Sequence, residues 1–243
     1  MVADEIRSER LIFKNFSELS EEEKQIIAKS WGNPINSRYN GSSEAPIDQV
    51  NDIASYSLPT EWGMFYKYVV LQETGEVVGT CRFGKWYKSD SASVWDFGFN
   101  VLLKYWFKGY GTEIVKTIVE VAKSEGIEKV ISAADIENFG SYKSMFKNGM
   151  KFKGYDKDED YEFEIDLTKE QIVQSQEALD QEWQSILEKA EKDLGKKRYK
   201  LIMDDFKNIR KLVTKIQDGG DEDKLIKEYL AELGEAKSLK LRG

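Results

Sequence analysis

Residues Trp95 to Glu113 read WDFGFNVLLKYWFKGYGTE. The opening half is an apolar, aromatic-rich run of the kind that lies buried in a sheet. The closing half sets Gly109 and Gly111 directly before a segment of helical period. Ile114, Ile118, Val121 and Ala122 then fall on one helix face, and Glu125-Gly126 supplies the stop. A strand, a glycine turn and a helix start in that order leave about four backbone N–H groups unpaired, with roughly half a positive charge at the helix N-terminus. Gly109 and Gly111 carry no β-carbon to hold an anion off those amides, Thr112 adds a hydroxyl, and Lys104 and Lys108 add charge. Taken alone, the turn reads either as an anion site or as a plain helix start.

Working outward, Arg10 to Phe16 alternates as an opening strand, and Ser20 with Glu23 forms a capping box before a helix carrying Ile26, Ile27 and Trp31. A polar stretch from Asn33 to Ala45 precedes a shorter helix over Ile47 to Ser55. Met64–Gln72 and Val77–Phe83 are strands joined by a hairpin at Gly75, and Ser93–Leu103 is a third long strand. Lys129–Ala134 is a short buried strand and Asn138–Asn148 a helix. Lys151–Tyr155 and Tyr161–Leu167 form a hairpin around the acidic Asp156–Asp160 loop. This order predicts an α/β (α+β) fold for residues 1–167: a mixed, mainly antiparallel sheet with helices on both faces. Residues 168–243 change character and predict a helical C-terminal domain, a hairpin or three-helix bundle. Its apolar stripes carry Ile172, Trp183, Phe206 and Tyr229, and those rings are expected to pack on one another.

Composition removes several chemistries. The chain has 243 residues and no histidine, which excludes Ser-His and Cys-His catalysis and the commonest transition-metal ligand, so no metal is expected. The single cysteine, Cys81, lies in an apolar run and reads as a small core residue. Residues 1–167 hold 20 Lys and Arg against 28 Asp and Glu, whereas residues 168–243 hold 16 of each. The negative surplus argues against a nucleic-acid groove and favours an amine or basic peptide. No run reaches membrane-spanning length and the opening MVADEIRSER lacks an apolar core, so a cytoplasmic location with no membrane partner is the expectation.

The stretch from Asn100 to Thr112 resembles the acetyl-CoA motif of the GNAT N-acetyltransferase family, which places Gly-x-Gly/Ala three residues after Gln or Arg. Here Trp106 stands at the Gln/Arg position. That variation resembles the ribosomal-protein N-terminal acetyltransferase (Rim-type) subgroup, which reads Tyr-Trp-Gly-Lys-Gly-Tyr at this point; Phe107 replaces the subgroup's first glycine. Arg10-Leu11-Ile12 is similar to that subgroup's opening strand. Asn138, Ser141, Lys147 and Gly149 fall at its spacing N-x-x-S-x(5)-K-x-G.

The resemblance, which covers about Arg10 to Leu167, implies direct acetyl transfer from acetyl-CoA to a primary amine, either a peptide N-terminus or a small amine. It places the pantetheine arm beside Asn100, Val101, Leu102 and Leu103, with the Val101 N–H facing the developing oxyanion. It places the phosphates at Lys108, Gly109, Tyr110, Gly111 and Thr112, with further contacts from Asn138, Ser141 and Lys147. A peptide α-amine costs only about 1 kcal/mol to neutralise at pH 7, so a weak base such as Asp96 acting through water suffices; Asp135 and Glu137 are secondary candidates. Many relatives carry a Tyr seven residues after the Asn as acid for the leaving thiolate. Met145 occupies that position here, which leaves Ser141 as the choice and Tyr142 as the fallback. A rival reading is a non-catalytic CoA-binding protein that works through residues 168–243, which also offer a surface for self-association or a protein partner.

Overall fold

The computed structural model describes residues 2–39, 45–86, 91–156, 160–169 and 175–240. Its eight-stranded sheet comprises β1 (Ile6–Arg7), β2 (Leu11–Asn15), β3 (Met64–Leu71), β4 (Val77–Lys85), β5 (Val94–Val101), β6 (Lys129–Ala134), β7 (Lys151–Tyr155) and β8 (Tyr161–Asp166). Their spatial order is β1-β2-β3-β4-β5-β6-β8-β7. Around the sheet lie α1 (Glu21–Gly32), α2 (Pro46–Ala54), α3 (Tyr110–Ser124) and α4 (Phe139–Lys147), followed by α5 (Gln176–Leu194), α6 (Lys196–Gln217) and α7 (Glu222–Lys240). The expected architecture is present, with β1 as an unanticipated two-residue addition. The third long strand ends at Val101, where a last ladder bond joins the Leu102 N–H to the Val78 carbonyl at 2.8 Å and a 3-10 turn follows at Leu103–Tyr105.

Every neighbouring pair is antiparallel except β5 and β6. Their parallel pairing runs from Val94↔Lys129 to Asp96↔Ile131 and stops. Ser132 Oγ still donates to the Phe97 carbonyl at 2.9 Å. Beyond that rung β5 keeps its pairing with β4 as far as Val101, and β6 keeps β8 as far as Ala134, so the inner edges of both strands are left open.

Local chemistry sets the flanking helices. At the start of α1 the Glu23 N–H donates to Ser20 Oγ, and Glu23 accepts from the Ser20 N–H at 2.8 Å. Val77 to Cys81 of β4 are all buried, as expected for a strand covered on both faces, by α1 on one and α3 on the other. Ile114, Val115, Ile118 and Ala122 form the buried stripe of α3. Cys81 is a free, buried core thiol whose pKa burial pushes up to about 12.

The three C-terminal helices pack largely on the preceding fold. Trp183 of α5 lies on Tyr142 and Phe146 of α4, and Ile186 and Ala190 join the main core. Lys151 pairs with Glu182, and Tyr161 donates to Asp193 at 2.5 Å. Helices α6 and α7 build a second core with Ile35 and Leu103. Trp183, Phe206 and Tyr229 therefore do not pack on one another: Phe206 meets Phe107, and Tyr229 bonds to Asp205, which also holds Arg38 at 2.6 Å. The expectation for Ile172 lies outside the described residues.

The amino-terminal hairpin fastens the Gly109 turn. Glu113 accepts from Ser8 Oγ, the Arg10 N–H and Arg10 Nε, each at 2.7 Å, while Arg10 also donates to the Lys108 carbonyl at 3.1 Å and lies 4.4 Å over the Tyr110 ring. On the neighbouring β3, opposite Asn15, Lys67, 1% exposed, donates to the carbonyls of Ala3 and Asp4 and to Asn15 Oδ1. Burial pulls the Lys67 pKa below the ordinary lysine value.

Burial opposes ionisation of Glu113, but the hydrogen bonds from Ser8 and Arg10 outweigh it and hold the carboxyl below its usual value. A depressed folded-state pKa contributes stability that is fully present above the unfolded value and is lost as pH falls through the folded one. Glu113→Gln therefore destabilises by about 1–3 kcal/mol at pH 7, and denaturant titrations show the gap to wild type closing below about pH 4. An unchanged gap at acid pH rules out the charge as its source. Trp183→Ala, which uncovers Tyr142 and Phe146, costs about 2–3 kcal/mol in the same titration; no loss there means that α5 does not share the core.

Candidate functional site

Two features meet where β5 and β6 part. The first is a cleft of about 720 Å³ that reaches the diverging strands at Phe97–Asn100 and Ile131–Ala133. Phe16, Trp31, Tyr56 and Tyr66 form an aromatic wall, with Phe16 and Trp31 stacked at 6.3 Å and Tyr56 edge-on to Tyr66 at 5.8 Å. The charged lining comprises Asp52, Asp96, Asp156, Asp160 and Glu162 against Arg82. Arg82 Nη1 lies 3.0 Å from Asp96 Oδ2, and among the described lining residues carboxylates outnumber this guanidinium. Asp96 is 14% exposed and looks into the cleft from the last paired rung of β5.

The second feature is the N-terminus of α3. Gly109 takes φ 82°, the left-handed conformation that turns the chain into the helix, and no side chain caps the helix there. Its first amides have no intrahelical acceptor, as at any helix N-terminus. Gly111 has a packing reason to be glycine beside the one expected. A β-carbon there would stand 3.0 Å from the Phe99 ring and 3.3 Å from Ser144 Oγ, so its smallness lets α3 approach β5 and α4. Asn148 of α4 reinforces that contact by donating to the Thr112 carbonyl at 2.9 Å.

Among the residues expected to line the pantetheine path, Val101 gives its carbonyl to the Trp106 indole N–H at 2.7 Å. Leu102 spends its N–H on Val78, and Leu103 is buried in the second core. Carbonyls of alternate residues point to the same side of a strand. With Phe97 bonded to Ser132, the backbone groups of Phe99 therefore face the gap, as does the N–H of Val101. Asn100 lines the cleft and accepts from Asn36 at 2.7 Å, which ties the segment after α1 to the end of β5.

On α4, Asn138 caps the helix through Oδ1, which accepts from the Ser141 N–H at 3.1 Å; Ser141 is half-buried and Lys147 exposed. Tyr142, the fallback acid, is fully buried, donates weakly to the Ile136 carbonyl at 3.4 Å and stacks on Phe163. Burial raises its pKa, and Tyr142 is a core ring. Met145 is likewise fully buried. Glu137 pairs with Arg198 of α6, and Asp135 Oδ1 accepts from the Glu137 N–H at 2.7 Å. Lys108 lies 6.0 Å over the Tyr105 ring, and Tyr110 meets that ring edge-on. Residues 40–44 and 87–90, next to this cleft in sequence, lie outside the described residues.

The sequence reading did not connect Asp52, Arg82 and Glu162 with the site. Arg82 interrupts the apolar run of β4, and that interruption is the one local signal; the others converge only through the tertiary fold.

Comparison with known proteins agrees with this geometry. Residues 10–151, more than half of the chain, match the family model described as an acetyltransferase (GNAT) domain. No curated protein matches the chain in sequence. Among solved structures, a GNAT-family acetyltransferase from Bacillus anthracis superposes with a TM-score of 0.56 at 21% identity, covering 68% of this chain and 99% of that one. An acetyltransferase from Agrobacterium tumefaciens gives 0.55 at 17% identity, covering 68% and 95%. AAC(6')-Ib, solved with paromomycin and acetyl-CoA, gives 0.54 at 14% identity, covering 65% and 96%. At these identities the structures speak for the fold, and the match over residues 10–151 carries the assignment: the chain belongs to the GNAT family of acetyltransferases.

Proposed function

We propose that the chain transfers an acetyl group from acetyl-CoA to a primary amine that carries further positive charge and is held in the acidic, aromatic cleft. The observation behind this reading is the lining of that cleft, five carboxylates against one already paired guanidinium, beside the open inner edge of β5. Aromatic faces and carboxylates together favour a cationic guest over a neutral one. The Rim-type likeness at Tyr105–Gly109 and Asn138–Gly149 is compatible with a peptide α-amine as that guest.

The residues present suit acetyl-CoA. The amides of Tyr110, Gly111 and Thr112 and the left-handed Gly109 would hold its phosphates, with charge from Lys108 and Lys147. The Phe99 backbone and the Val101 N–H would line the arm, with Val101 as oxyanion donor. Bound there, acetyl-CoA supplies an activated acetyl thioester, whose C–S bond breaks as the acceptor nitrogen takes the acetyl group. Asp96 accepts the proton lost from nitrogen, through a water, and Ser141 hydrogen-bonds the sulfur as it takes up a proton. Binding both reactants in one cleft removes much of the entropic barrier.

Thiol release from acetyl-CoA with a panel of amines tests this reading. Amines bearing a second cationic group turn over with at least tenfold higher kcat/KM than amines with neutral bodies of equal size; equal values sink the charge argument. Asp96→Asn lowers the rate more at pH 7 than at pH 9, where more acceptor is already neutral. Equal losses at both pH values make Asp96 structural, and an unchanged rate in Ser141→Ala removes Ser141 from the chemistry.

A further inference from the structure

Helix α6 bridges the Gly109 turn and the N-terminal end of α4. At one end Arg198 pairs with Glu137, and Tyr199 packs edge-on against Phe139 at 5.7 Å. One helical turn or two further on, the Phe206 ring meets Phe107 edge-on at 5.4 Å and comes within 4.0 Å of where a β-carbon on Gly140 would stand. A single aromatic ring thus touches both elements. At the other end Gln217 Nε2 donates to the carbonyls of Lys104 and Trp106 at 2.9 and 3.2 Å.

Phe107 gives a second, independent sign that this contact is built. It is the one non-glycine residue with positive φ, 64°, among the described residues. A side chain is costly in that conformation, which glycine adopts freely. The ring placed there is engaged by Phe206, by Trp106 at 6.3 Å and by the Arg210 guanidinium at 4.6 Å. A strained aromatic at the turn thus serves as the docking point for α6.

We propose that α6 is an internal competitor of acyl-CoA. Docked, Phe206 fills the space between Phe107 and Gly140; the cofactor enters when the α6–α7 hairpin moves off, with Gly195 as the joint and the contacts to Ile35, Leu103 and Arg38 opening with it. This inference rests on the acetyl-CoA reading above. Gly195, with φ 76°, is the single residue between α5 and α6. Partial desolvation, and then repulsion from Lys147 and Arg210, lower the pKa of Lys143. Withdrawal of Arg210 relieves that repulsion and leaves Lys143 and Lys147 to a phosphate. A ligand that selects the open state binds more weakly by the fraction of molecules that are open, and weakening the docked state removes that handicap.

The test uses the full-length protein, with acetyl-CoA titrated calorimetrically into wild type, Phe206→Ala and Arg198→Glu, and with amide hydrogen exchange of wild type with and without acetyl-CoA. Phe206→Ala binds at least tenfold tighter and Arg198→Glu, on an exposed ion pair, about two- to threefold tighter. Acetyl-CoA speeds exchange along residues 196–217 while slowing it at 107–112. Should Phe206→Ala unfold, Arg198→Glu and the exchange pattern decide. Unchanged or weaker affinity in the folded variants, or slower exchange along α6, overturns the competition and makes α6 a wall of the cofactor site, with the acetyl-CoA reading intact. Absence of acetyl-CoA binding by all three folded proteins removes that reading and this inference together.

Discussion

Three residue pairs, Val94–Asp96 against Lys129–Ile131, hold the two halves of the sheet together. Parallel pairing needs a crossover, and here the crossover is α3, whose N-terminus must therefore lie at the end of β5 where the strands have parted. The open strand edges, the placement of the first α3 amides and the acidic cleft follow from that one early ending. If pairing continued past Asp96, the Phe99 backbone groups would be consumed in the sheet and the gap would close. The Ser132–Phe97 hydrogen bond marks the limit. It locks the last shared rung by a side chain instead of a backbone group, so the separation has a fixed starting point.

Such a gap weakens the sheet unless other contacts hold its two sides. Gly111 lets α3 sit against Phe99 and Ser144 at once, and Asn148 ties α4 to the same turn. On the opposite side Arg10 and Glu113 join the edge hairpin to α3. Rigidity at the turn thus comes from elements far apart in sequence. That suits a site whose backbone amides must be aimed before a ligand arrives.

Much of this was legible in the residues. The period change at Gly109, the Ser20 capping box and the Lys151–Tyr155 and Tyr161–Asp166 hairpin are written in short-range spacing, and each appears where spacing puts it. The Asn138 cap is local as well, and the helix it starts is present. Residues that act through long-range contact were not legible. Asp52, Arg82 and Glu162 share a cleft only because α2, β4 and β8 converge, and the partnership of Arg10 with Glu113 bridges 103 positions of sequence. The C-terminal stripes show the same limit: their period announces helices but not what the helices cover. Trp183 covers α4, whereas Phe206 covers the turn. Gly111 shows the same limit, since a missing β-carbon is equally useful to a ligand and to a neighbouring ring.

The buried ammonium of Lys67 makes the first few residues part of the sheet in a chemical sense. Two of its three acceptors are the carbonyls of Ala3 and Asp4, which reach across β2 to it. Clipping the chain after Asp4 would not trim a loose end. It would strand a cation inside an apolar layer with Asn15 as its remaining acceptor, and the cell would meet a protein with a loosened sheet edge instead of one merely shortened by four residues.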